Sequence, residues 1–167
     1  MNVGGRQVNM KRLKEVFADL GLSDVATYVQ SGNVVFRAGK QPSAKSLEVA
    51  IEAAFGLDVT VILRTAREMA EVLNGNPYLA ADAGADRSRL YVTFLADQPE
   101  KGALDGVDVE KYAPDEFQLV GRELYLHYPN GYGRTKLSND FFERRTKLRA
   151  TTRNWNTVTK LVELSGG

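Results

Sequence analysis

Apolar positions along the first third of the chain change period twice. Met10, Leu13, Val16, Phe17 and Leu20 recur three and four residues apart, the spacing of one helix face. Asn9 is a favoured N-cap, Val8 and Leu13 occupy the two positions of a hydrophobic staple, and Gly21 supplies a stop, so a helix is predicted from Asn9 onward. The period then shortens. In DVATYVQSGNVVFRA, β-branched and aromatic residues lie on both sides of Ser31-Gly32-Asn33, the composition of a hairpin or of a strand broken by a bulge. Ser43 caps a second predicted helix, whose Leu47, Ala50, Ile51, Ala54 and Phe55 share a face. VTVIL, residues 59–63, reads as a short buried strand, and Thr65 with Glu68 has the T-x-x-E spacing of a capping box opening a helix to about Leu73.

The opening MNVGGRQV reads as a loop, so the order is α-β-β-α-β-α. That is a ferredoxin-like βαββαβ unit lacking its first strand and carrying an extra helix. NGNPY and AADAGADRS, rich in Gly, Asn, Asp, Ala and Pro, mark a linker. Two α+β domains are predicted, residues 1–76 and 88–167.

RLYVTFLA restarts the pattern as a strand, and residues 98–112 suggest a short helix with an acidic surface. EFQLVGRELYLHYPNG reads as a hairpin turning at Gly121-Arg122 and closed by Pro129-Asn130-Gly131. Two terminal helices are predicted, Leu137 to Leu148 with Leu137, Phe141 and Phe142 inward, and Arg153 to Leu164. The second unit is therefore a mixed or antiparallel sheet, β-α-β-β-α-α, with C-terminal helices.

Composition narrows the chemistry. The 167 residues are 43% hydrophobic and 26% charged, with a net charge of +1, which excludes a disordered chain and an overall field that recruits nucleic acid or membrane. Without cysteine there is no disulfide, thiolate zinc site or thiol nucleophile, and one histidine excludes a histidine-based metal cluster. Carboxylate-only metal sites stay open, and no motif calls for a cofactor. No apolar run approaches a membrane span or a signal-peptide core, and a soluble cytoplasmic protein is expected.

Charge is nevertheless divided. Arg89 to Gly121 holds three basic and seven acidic residues, whereas Arg122 to Lys160 holds nine basic and three acidic. An anionic partner would meet the second surface first, unless that face packs on the acidic stretch or is simply solvated. Within it, PNGYGRTKLS offers Gly131 and Gly133 backbone amides ahead of a helix start, with Arg134 and Lys136 adding full charges, as in a phosphate or carboxylate cradle. The Walker A spacing is missing. The alternative is that the glycines only turn the chain and Ser138 or Asn139 caps the helix.

In ATTRNWNTVTKL, Thr151 or Thr152 is the expected N-cap and Trp155, Val158, Leu161 and Val162 form the apolar stripe. Arg153, Asn156 or Thr157, and Lys160 then recur on another side, so one face anchors while the other is free to bind, unless they are only caps and solvated groups. His127 is the one candidate for acid–base work at neutral pH, on a strand face shared with Tyr125. NVGG and QSGN could each let a ligand approach the backbone, although turn geometry alone accounts for Gly4, Gly5 and Gly32.

NVGGRQVNMKRLKEVFADLG, TYVQSGNVVF and YLHYPNGYGRTKL with TTRNWNTVTKL, in that order, closely resemble the bacterial family known as domain of unknown function 1697. The likeness spans nearly the whole chain. It implies a two-domain α+β protein whose first domain is ferredoxin-like, without an established activity, substrate or cofactor. Family members begin with a strand ending L-R-G-I before N-V-G-G, and here Met1 stands at that isoleucine. The expectation is an upstream true start, or a sheet edge completed by rearrangement or by a second chain as a homodimer. The arginine that precedes N-V-G-G in the family is absent too, so a site using it would be impaired.

The functional expectation is a binding module for an anionic, phosphate-bearing small molecule or nucleic acid, through Gly131, Gly133, Arg134, Lys136, Arg153, Asn156 and Lys160. The alternatives are an enzyme on a small anionic metabolite, with His127 or Tyr128 as proton donor, and an interaction protein without a small ligand.

Overall fold

The computed structural model describes residues 2–3, 6–28 and 32–166. Met1–Leu63 and Arg64–Gly167 form two compact units of mixed helix and antiparallel sheet, an α+β fold. In the first, β1 (Asn2–Val3) and β2 (Arg6–Gln7) pair within the segment expected to be loop. Helix α1 (Met10–Asp19) starts as its sequence requires, the Asn9 side chain accepting from the Arg12 amide at 3.2 Å. The staple residues Val8 and Leu13 are 3% and 1% exposed in the same core. Strands β3 (Leu22–Tyr28) and β4 (Asn33–Ala38) form an antiparallel hairpin that also contains a bulge, where the register shifts between Ser23 and Ala26 and Asp24 takes φ +50°.

Helix α2 (Ala44–Phe55) is capped by Ser43 and ends at left-handed Gly56. Leu47, with Leu13, Val16 and Phe17 of α1, forms the core of this unit. Among the described residues, 59–63 form no strand ladder. Val59, Val61 and Leu63 pack against that core, and the Val61 amide donates to the Glu48 carboxylate at 3.0 Å.

The two compact units divide at Leu63/Arg64. Helix α3 (Ala66–Asn74), opened by the Thr65–Glu68 capping box, belongs to the second unit, where it packs on the last helix. Two side chains explain this. The Tyr125 hydroxyl donates to the Val72 carbonyl at 2.9 Å, and Arg64, just before α3, pairs with Glu123 at 3.0 Å. The supposed linker also holds a short helix, α4 (Pro77–Ala81), with Asn76 as N-cap and Pro77 at the first helical position. Asn-Pro reads as a break but equally starts a helix.

The second unit is built on one antiparallel sheet ordered β6 (Glu116–Val120), β7 (Glu123–His127), β5 (Leu90–Leu95) and β8 (Ala150–Asn154). Residues 98–112 contribute only a 3-10 turn, Val109–Tyr112. Helix α5 (Asn139–Thr146) lays Phe141 and Phe142 on Leu95, Leu124, Leu126 and Tyr128, with Leu137 joining them from just ahead of the helix. Helix α6 (Trp155–Leu164) lies against β5 and β8 and buries Trp155, Val158 and Val162. The sequence reading missed β8 altogether. Thr151 and Thr152 are strand residues, and the N-cap of α6 is Asn154, whose side chain accepts from the Thr157 amide at 2.8 Å.

A candidate anion site on the 129–138 loop and strand β8

The loop after β7 is fixed from within. The Tyr128 side chain is buried, and its hydroxyl donates to the Leu137 carbonyl at 2.5 Å, closing residues 128 to 137 into a compact loop. Burial first, then the nearby Tyr132 and Asp115, push this hydroxyl well above the ordinary phenol range. Tyr128 thus acts as a structural clamp on the loop. Inside the loop Leu137 N–H donates to Thr135 Oγ1 at 3.1 Å.

Gly131 has a conformational role. Its φ of +85° lies in the left-handed region, and a Cβ there would come within 3.1 Å of Arg89 Nη1. Its N–H donates to the Tyr128 carbonyl at 2.9 Å, so it is not one of the anion donors expected of a cradle. Gly133 lies in the 3-10 turn Tyr132–Arg134. Helix α5 begins farther on, its first turn capped by Ser138, which accepts from Phe141 N–H at 3.2 Å, and already carrying Asp140. The cradle built from glycine amides and a helix N-terminus is not what the fold makes.

It makes instead a small aromatic shelf with cations around it. The Tyr132 ring, 39% exposed, packs on Tyr91 at 5.5 Å and on Tyr128 at 6.1 Å, while Tyr91 and Tyr128 lie 5.3 Å apart. Arg134 and Lys136 are exposed on the same loop and make no side-chain hydrogen bond or ion pair among the described residues.

Arg153 stands opposite Val92 on β8, so it does not share a helix face with Asn156 and Lys160. Its guanidinium donates to Thr151 Oγ1 and, at 2.9 Å, to the Thr152 carbonyl. Burial lowers its pKa and the Tyr132 hydroxyl opposes that shift, which puts the two groups within electrostatic reach. The fold therefore gathers Gly131, Gly133, Arg134 and Lys136 on one loop with Arg153 beside it. Asn156 is exposed in the first turn of α6, and Lys160 is paired with Glu163 at 3.2 Å.

His127 ends β7 half-buried, its ring 5.7 Å from that of Tyr78. Tyr91, Tyr132 and Arg89 escaped the sequence reading. The tyrosine between two glycines in NGYGR was the available signal for the exposed one.

Beside β8, Thr93 and Thr152 hydroxyls are 2.7 Å apart, and Thr152 donates to Asn139 Oδ1 at 3.0 Å, a polar relay that fixes the edge strand to α5. A shallow groove of 440 Å³ on the first unit, lined by Gln7, Asn9, Lys11, Arg12, Glu15 and Phe55, contains none of the expected site residues. Gly4, Gly5 and Ser31 lie outside the described residues; Gly32 adopts φ +82°. Among the described residues no acidic or histidine cluster is placed to hold a metal, and no helix is long and apolar enough to cross a membrane.

Residues 1–125 match the family described as protein of unknown function (DUF1697). Among solved structures, the conserved bacterial protein SP0830 from Streptococcus pneumoniae is similar, with a TM-score of 0.65 and 21% identity over 99% of this chain and 93% of that one. That likeness is one of fold. No curated protein matches the chain.

Proposed function

For this chain, which belongs to the DUF1697 family, we propose a binding role directed at a small phosphate-bearing anion, with the site on the 129–138 loop and β8. The observation that carries the reading is the pair Arg134 and Lys136, exposed and without side-chain partners among the described residues, on a loop already clamped by Tyr128. A clamped backbone lowers the cost of ordering the loop when a ligand arrives, while each cationic side chain still pays its own. Arg153, partly desolvated at the neighbouring strand, is the third charge, and the Tyr132 ring offers a flat surface to an attached base or sugar. Gly131 and Gly133 shape the loop.

A small ligand is favoured over nucleic acid because the whole chain carries only +1 and the cationic surface is short. His127 has no part in this reading, and neither does acid–base catalysis. A soluble, cytoplasmic setting belongs to the same proposal.

The test is titration of pyrophosphate, ATP and a short single-stranded oligonucleotide into the protein and into the Arg134→Ala/Lys136→Ala variant. For the oligonucleotide, every phosphate that the variant no longer neutralises lowers the salt slope of log K by about 0.7. Binding of ATP or pyrophosphate that falls at least tenfold in the variant supports the reading. Equal affinity in both proteins rejects it, and tight binding of the oligonucleotide alone replaces the small ligand with nucleic acid.

A further inference from the structure

β6 is an edge strand, hydrogen-bonded among the described residues to β7 alone. Edges of this kind are normally shielded by charge, proline or a bulge. Here the last two residues, Leu119 and Val120, are 39% and 50% exposed. The hairpin also fixes which backbone groups face outward. Gly121 and Arg122 are its two loop residues, Gly121 with φ +62°, and Val120 pairs with Glu123. In a two-residue hairpin that flanking pair is hydrogen-bonded. Val120, Gln118 and Glu116 therefore turn their N–H and C=O groups to β7, while Phe117 and Leu119 turn theirs to the open edge.

We infer that this edge is an interface with a second copy of the chain, the two β6 strands pairing antiparallel about a twofold axis at Gln118. Such an interface is isologous, each copy offering the same patch. The register sets Phe117 of one copy against Leu119 of the other, which joins the outward-facing residues, and each such pair exchanges two backbone hydrogen bonds. The side chains suit this register. Phe117 and Leu119 share a sheet face, so apolar meets apolar. On the opposite face Glu116 meets Val120 and Gln118 meets Gln118, so no like charges are opposed. Just beyond the strand Asp115 falls opposite Gly121, next to Arg122, whose guanidinium is paired with Glu68 at 2.9 Å. Neighbouring registers of the same parity lose this match: centring on Phe117 sets Asp115 against Leu119, and centring on Leu119 sets Phe117 against Gly121.

The experiment is sedimentation equilibrium over a wide concentration range, together with amide hydrogen exchange. The expected result is a mass rising from the 18.4 kDa chain toward twice that value, with the Leu119 amide slowing as concentration rises. Leu119→Pro removes an outward N–H that β7 does not use, a position where an edge strand tolerates proline. Leu119→Lys places a charge against Phe117 of the other copy. Both variants should lose the mass increase while keeping the wild-type near-ultraviolet signal of Trp155; if the proline variant unfolds, the lysine variant decides. A chain that stays monomeric throughout, a dimer that survives Leu119→Lys, or a dimer whose Leu119 amide exchanges at the monomer rate overturns the inference.

Discussion

Tyrosines in the second unit have diverged in role because burial treats the hydroxyl differently at each. Tyr125 and Tyr128 are 2% and 0% exposed, and each donates to a backbone carbonyl, Val72 and Leu137 respectively. Tyr132 stays partly in solvent at 39% exposed. For Tyr125, burial and then the Glu123 charge push the pKa from 10.0 up to about 12. The unfolded chain gives up that proton first, so it binds fewer protons than the native state between those values. The contribution is complete below pH 10 and is lost as pH rises toward 12, at up to about 1.4 kcal/mol per pH unit. Tyr128 and Tyr78, also raised by burial, act with the same sign. Tyr125→Phe should therefore cost about 1 kcal/mol at neutral pH through the lost hydrogen bond, and flatten the alkaline fall in stability. Urea unfolding at neutral pH and at about pH 11 checks both halves, and an unchanged alkaline slope would refute the assignment.

Helix starts were the most legible elements in the sequence, and strand β8 the least. Asn9, Ser43 and Thr65 cap the helices they were expected to cap, because a side chain bonding to a nearby amide is a local event. The hairpin turning at Gly121 was likewise local. β8 failed this logic, since TTRN is a strand only because β5 lies beside it and accepts its ladder. The error moved the start of α6 by two residues and gathered Arg153, Asn156 and Lys160 on a face that does not exist. The candidate site suffered in the same way: its loop and Arg153 could be named, but the Tyr91–Tyr128–Tyr132 packing joins residues that no periodicity connects. The cap can be tested at once. Asn154→Ala should lower stability by about 1 kcal/mol, measured by thermal unfolding, whereas an effect near zero would return the cap to the threonines.

As a whole the molecule consists of two units of unequal self-sufficiency. Arg64–Gly167 contains a four-stranded sheet with helices α5 and α6 and a core of fully buried Leu, Val and Phe side chains. Its first residue is built into it. The Arg64 and Glu123 side chains are 4% and 14% exposed, and Arg64 Nη2 also donates to the Leu95 and Arg122 carbonyls at 2.8 and 3.2 Å. A fragment covering residues 64–167 should therefore fold alone, with dispersed amide resonances and one cooperative unfolding transition. A fragment without slowly exchanging sheet amides would show that it depends on the rest of the chain.

Trp155, buried at the head of α6 and the only indole in the chain, has an optical consequence. Its emission reports on the unit that contains it, so a fluorescence melt follows Arg64–Gly167 while the far-ultraviolet signal averages both. Any gap between the two midpoints is then a direct reading of how independently Met1–Leu63 comes apart.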